Sequence, residues 1–244
     1  MKKYILVILT TIFINQIFAI GGFGLYGDYD LMSHNGSNNS FDAGLLQLNA
    51  DPFDNAYGGG FYLYIDALPF IDVEVNAEIA ANTTTTTFSL NENLLCDPIP
   101  CENQNFSTDL LPWARSSMYV TARKKIFGLS IPFLAKAKLY AGAGMNLHSV
   151  TPEYTIDLLT DAFDTDDITD IFNLMDGNVS YITTLANHVT ENMNKINGFH
   201  VQTGVQAKLL MFDMFLNARY TLAKDVIPGK SGFPSVWLGV GYGI

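Results

Sequence analysis

The side chains best equipped for chemistry are four histidines, two cysteines and a run of aspartates. His148 and His200 fall in segments read below as neighbouring strands, and Ser149 follows His148 directly. A base beside a hydroxyl is the minimum for nucleophilic catalysis. No orienting third group stands at a recognisable spacing, and the chain has no GxSxG elbow. The stronger reading of His34, His148 and His200 is structural: rim histidines bonded to loop backbone, with His188 in a loop. A metal shared by His148 and His200 is the weaker reading, and no metal or cofactor is assigned. Cys96 and Cys101 bracket Asp-Pro-Ile-Pro, a turn that lets them close a small disulfide loop in an oxidising compartment. With no second cysteine pair or nearby histidine they do not make a zinc site. Asp164, Asp166, Asp167 and Asp170 crowd together, but the stretch lacks the glycine and terminal glutamate of a calcium-binding loop.

The other charged groups follow a different rule, because they alternate with apolar residues. A first strand over about 21–32 sets Phe23, Leu25, Tyr29 and Leu31 against Tyr26, Asp28 and Asp30. The same period of two recurs over about 58–66, 72–88, 114–125, 134–148, 199–210, 214–222 and 235–244, giving eight strands. The polar faces gather Asp28, Asp30, Asp66, Glu74 and Glu78 on the first three strands. Arg115, Arg123, Lys136, Lys138, Lys208 and Arg219 lie on the polar faces of the fourth to seventh. If these faces point into a barrel, acids and bases stand on opposite walls and form a charge network that fills the lumen. Such burial is costly unless each charge is paired. The opposite faces are small and apolar, with Ala135, Ala137, Ala141 and Ala143 on one strand. They would fill a soluble barrel's interior poorly and suit a lipid-facing surface.

The amino terminus carries Lys2 and Lys3, then an apolar stretch to Phe18 and a small residue at Ala19. This pattern predicts an export signal over 1–19, removed to leave a barrel over 20–244. Cleavage takes the formal charge from −11 to −13. Charged residues are only 15% of the chain, low for a soluble domain, and aromatics at 13% argue against disorder. The acidic balance excludes nucleic acid as a partner, since phosphate binding needs clustered Lys and Arg.

The links between strands alternate long and short. Of the 24 acids, 17 fall in the four long links, about 33–56, 89–113, 149–198 and 223–234. The third is predicted to be helical. Thr151-Pro152-Glu153 makes a helix start, the aspartate cluster suits a second, and Ile182, Leu185, Ala186, Val189, Met193 and Ile196 recur at helical spacing. Its expected role is a small cap on the barrel rim, or a lid over an apolar ligand entrance. In the last strand Val236, Leu238, Val240, Tyr242 and Ile244 share the outward phase.

Strand number, alternating links, export signal and terminal strand resemble the small eight-stranded bacterial outer-membrane β-barrel proteins of the OmpA, OmpX and OmpW kind. Ile244 stands where that family ends in Phe or Trp. The resemblance implies an all-β fold, an eight-stranded antiparallel transmembrane barrel with a helical insertion in the third extracellular loop, and both termini on the periplasmic side. It implies outer-membrane lipids and lipopolysaccharide as surroundings, and the barrel-assembly machinery as reader of the terminal strand. It carries over no functional residue. The expected function is a structural or surface-interacting barrel with no wide pore, and not an enzyme. Transport of a small apolar compound through a lidded mouth is the alternative, and a barrel hydrolase or acyl-transfer enzyme the second.

Overall fold

A computed structural model describes residues 21–41, 45–66, 70–91, 104–131, 135–165 and 180–243. The export segment, Cys96, Cys101 and Ile244 lie outside the described residues.

The alternating segments become long antiparallel strands: β1 (Gly21–His34), β4 (Phe53–Ile65), β5 (Asp72–Leu90), β6 (Gln104–Ile131), β7 (Ala135–Val150), β8 (Asn194–Leu209), β9 (Phe212–Leu222) and β10 (Phe233–Gly243). Each pairs with its chain neighbour, and β1 also pairs with β10, so the sheet closes. The register proves the closure. From Gly27 one route crosses Gly59, Ile79 and Ser116 to Ser149 on β7. The other crosses Leu238, Leu216 and Val205 to Leu139, ten residues away on the same strand. A stagger of ten over eight strands tilts them by about 40°.

The facing pattern is uniform. β9 alternates exposed and buried along its whole length, and outward residues such as Leu25 (68% exposed) and Val240 (60%) find no protein cover. Exposed apolar side chains surround the barrel on every strand. Water would not tolerate so large an apolar belt, whereas a bilayer core requires it. Among the described residues no helix is long and apolar enough to cross a membrane, and the crossing is made by strands. We call the end with Gly21 and Gly243 the base, and the opposite end the crown.

At the crown two of the expected polar loops contain folded elements among the described residues. β2 (Ser37–Phe41) and β3 (Leu46–Ala50) form a hairpin, and β3 adds to the upper part of β5, which still pairs with β6 through Gln104. Four strands therefore project beyond the barrel wall. Two helices, α1 (Ile156–Phe163) and α2 (Ser180–Glu191), cover one face of this sheet. Leu159, Leu185 and Val189 pack there on Leu46, Leu48 and Phe88. α1 starts later than the sequence suggested. Its N-cap is Thr155, whose hydroxyl accepts from Leu158 N–H at 3.3 Å, because Thr151 is still bonded to Ala114 as part of the β7 ladder. Asp164 ends α1 in a left-handed conformation where a second helix start was expected. The helix expected to follow the aspartate cluster falls outside the described residues. Met193 lies just past α2, and Ile196 belongs to β8.

Candidate functional site

The lumen is filled in layers, and the strand register decides what each contains. Nearest the crown, Met32, Phe53, Trp113, Val150 and Phe233 form an apolar plug. Val226 and Ile227, from the link between β9 and β10, fold down into it.

Below the plug lies the main ion-pair cluster. Arg115 on β6 reaches across the lumen to β1, with Nη2 2.7 Å from Asp30 and 3.3 Å from Asp28, and reaches its neighbour Glu78 on β5 at 2.7 Å. Arg219 on β9 approaches Glu78 from the other side at 3.3 Å, and Tyr26 donates to the same carboxylate at 2.6 Å. Arg219 also lies 3.7 Å over the Tyr119 ring. Nearer the base Arg123 pairs with Glu74 at 2.7 Å and Asp66 at 3.0 Å, and Lys138 with Asp66 and Asp72. A guanidinium fork suits these shared carboxylates because one group can donate to several acceptors, as Arg115 does from Nε, Nη1 and Nη2, whereas Arg123 Nε and Arg219 Nη2 find no partner among the described residues.

Between and beneath these pairs sits an aromatic layer of Tyr26, Tyr62, Tyr64, Tyr140, Phe215 and Trp237. Arg123 is 4.8 Å from the centroids of Tyr64 and Tyr140, so the aromatic layer and the lower ion pairs are one packed unit. The rings fit because β1 and β10 place glycines inward beside them. A Cβ on Gly239 would lie 2.9 Å from the Tyr62 ring and 3.0 Å from Trp237.

All eleven charges expected to face inward are buried or half-buried, and nine of them make ion pairs. Lys136 and Lys208 make none among the described residues. Both stand at the base, facing each other across β7 and β8. Two inward acids were missed, Asp72 and Asp213, because both adjoin turns. Asp213 accepts from Tyr64 and from Gln206, the latter at 3.1 Å. Its phase with Phe215 and Asn217 was the available signal.

Two of the histidines are not where the sequence placed them. His148 and His200 are buried inside the lumen, not at a rim, and their partners are side-chain hydroxyls, not loop backbone. His148 Nδ1 is 2.7 Å from Ser117 Oγ, and His200 Nε2 is 2.8 Å from Thr121 Oγ1. Both rings meet Tyr119 edge-on. Ser149, the hydroxyl that sequence adjacency suggested, faces away from the lumen. The remaining ring nitrogens, His148 Nε2 and His200 Nδ1, have no partner among the described residues. The plug lies on the crown side of this region and the aromatic layer on its base side. His34 alone is a crown histidine bonded to backbone: it stacks on Phe53 and accepts from Gly36 N–H at 3.0 Å. His188 ends α2. Among the described residues no cluster of His, Cys, Asp or Glu could hold a metal ion.

A closed sheet, an all-round apolar exterior and a charged, filled lumen occur together only where lipid is the solvent. The chain is a small eight-stranded antiparallel transmembrane β-barrel. No family model matches the sequence, and no curated protein matches it. Among solved structures the chain is similar to the outer membrane protein OprG from Pseudomonas aeruginosa, at 11% identity over 93% of this chain and 97% of that one, with a TM-score of 0.43. It is also similar to the N-terminal β-barrel domain of Pseudomonas aeruginosa OprF, at 8% identity over 91% and 99%, with a TM-score of 0.37. A third is Ail, the attachment invasion locus protein of Yersinia pestis, solved with the heparin analogue sucrose octasulfate, at 10% identity over 91% and 98%, with a TM-score of 0.36. The barrel's own closure and facing pattern carry the fold.

Proposed function

We propose that the chain is an outer-membrane barrel whose sealed wall anchors a folded head at the cell surface, with a structural or surface-interacting role and no wide pore. The base then faces the periplasm and the crown the exterior. The observation that carries this reading is the crown itself. Strands β3 and β5 and two helices pack around a shared apolar core above a lumen blocked by an apolar plug, buried ion pairs and an aromatic layer. A transport channel has no use for three successive barriers, whereas a scaffold gains rigidity from each of them.

On this reading the belt meets membrane lipid and lipopolysaccharide. Val236, Leu238, Val240 and Tyr242 all face outward and, with Ile244, are the segment that the barrel-assembly machinery would read. Purified protein in planar bilayers is expected to show no steady conductance on the nanosiemens scale. An open pore of that size would overturn the sealed-scaffold reading.

A second reading rests on one cavity. Beneath the cap, His34, Phe53, Trp113, Pro152 and Tyr154 line a space of about 410 Å³, part of it open to solvent. The enclosed part is too small to bury a whole compound, so an apolar molecule would sit in the open part of the cleft, at the crown above the plug. Saturable quenching of Trp113 fluorescence by such a compound would support it, and quenching unchanged in Trp113→Phe would remove it.

A further inference from the structure

The four strands that project at the crown end in two free edges. β2 forms one, paired only with β3. The upper part of β6 forms the other, because β7 joins it only from Arg115. The two edges are built differently. Between Gln104 and Trp113 the β6 edge carries Asp109 and Pro112, a charge and a residue without N–H, both of which blunt an edge against further pairing. β2 is Ser-Asn-Asn-Ser-Phe, with neither. Asn38 and Ser40 are exposed, and beyond the β3 ladder Ser37, Asn38, Asn39 and Ser40 make no hydrogen bond among the described residues. Such an edge presents unpaired N–H and C=O groups as a template for one more strand.

Charge selects that strand. At a formal charge of −11, two copies of the chain repel over most of their surface. The outer strands of the crown sheet are the exception: Ser37–Phe41, Leu46–Ala50 and residues 82–90 of β5 contain no charged residue. A basic partner would gain nothing at this edge, whereas a second copy meets no like charge there. A two-fold contact uses the same edge from both copies. Centred on Asn39, it sets Asn39 against the partner's Asn39 and Asn38 against the partner's Ser40, amides and hydroxyls that hydrogen-bond across a ladder.

Tilt decides how the two barrels then lie. β3 and β2 extend the ladder of β5, a strand inclined by about 40° to the barrel axis. In one membrane, a two-fold along the membrane normal would cross the two β2 edges at about 80°, and no ladder forms. Head-to-tail pairing of β2 on β6 would need the blunted edge. A two-fold perpendicular to the sheet makes the β2 edges antiparallel and reverses one barrel against the other, so the copies stand crown to crown in two facing membranes.

We propose that β2 pairs antiparallel with β2 of a second copy in an apposed membrane, so that the crown joins one cell surface to another. This deepens the surface-interacting role and rests on the reading that the crown faces outward. A five-residue ladder buries too little for a stable dimer in solution, but many such contacts between two membranes add.

The test is clustering of phosphatidylcholine vesicles that carry the folded protein, mixed from two dye-labelled populations and read by fluorescence cross-correlation. Protein-bearing vesicles are expected to join one another and not protein-free vesicles. Asn38→Lys with Ser40→Lys sets lysine against lysine at the joint and should lower clustering about tenfold. Thr183→Lys with Asn187→Lys adds the same charge to the exposed face of α2 and should not lower it. Failure of the unaltered protein to cluster would assign the edge to a different protein, and joining to protein-free vesicles would assign it to lipid. Either result overturns the proposal, as does an equal loss in the α2 variant. Heat-modifiable migration and protease access to the cap report insertion and an outward crown separately, so a failure there counts against the barrel reading and not against β2. Should the lysine pair disturb the hairpin, Asn39→Cys tests the same joint. Opposed positions in a ladder lie close enough for a disulfide, so oxidising the clustered vesicles should give a covalent dimer that the unaltered protein, with Cys96 and Cys101 alone, does not give. Absence of that dimer also overturns the proposal.

Discussion

Arg115 grips Asp30 with two nitrogens, Nε at 3.0 Å and Nη2 at 2.7 Å, although the two residues lie 85 apart in sequence and on strands separated by two others. This contact spans the lumen and ties β6 to β1. Arg115→Met should be strongly destabilising, because Asp28, Asp30 and Glu78 would share the remaining Arg219 in a site closed to water. Breaking a buried pair by removing one partner costs about 3–5 kcal/mol. Urea unfolding in lipid or micelles measures it, and a cost below about 1 kcal/mol would show that the lumen is wet enough to screen these charges.

Neighbouring residues on β10 should separate lumen from lipid. Trp237 is fully buried among aromatic rings, while Leu238 beside it is 62% exposed. Trp237→Ala should cost about 3–5 kcal/mol through lost packing and a cavity. Leu238→Ala should cost far less, since lipid closes over a shortened side chain. Equal losses in unfolding experiments would contradict the assigned facing.

The cap is held by its own small core. Leu185→Asp places a carboxylate against Leu46, Leu48 and Phe88 and should undock α1 and α2 from the projecting sheet. The barrel should survive, because no lumen layer depends on Leu185. Limited proteolysis should then cleave within 152–193, while heat-modifiable migration stays unchanged.

Tyr154 gives that docking a pH limit. Burial in the cap core pushes its phenol from about 10 up to about 12. The folded state thus favours the neutral phenol. Its contribution is complete below pH 10, where the undocked chain is neutral too, and is lost as pH rises from about 10 to about 12. Protease sensitivity of the cap should rise across that interval. Tyr154→Phe should remove this part of the alkaline sensitivity, and an unchanged pH profile in that variant would rule the phenol out.

How much of this was legible in the chain depended on whether a residue's role was set by its own strand. Alternation in Met214–Leu222 or Val236–Tyr242 carries two-sided burial in the sequence itself, so strand existence and facing could be read directly. β2 and β3 could not, since Leu46 and Leu48 offer only two apolar positions in a five-residue strand, and what stabilises them is α1 and α2 arriving from more than 100 residues later. The same distance hid the histidines' partners. Ser117 meets His148 through the β6–β7 register, and a one-residue slip would have presented Ser116 instead.

The sequence by itself determined that this chain is a barrel with acids and bases facing inward and an apolar exterior, because a period of two is a local property and each strand declares its own faces. Tertiary structure alone decided which charges meet and that His148 and His200 lie within the lumen. Those outcomes follow from stagger and tilt, which arise only when β10 closes on β1 and every strand's height is fixed by all the others.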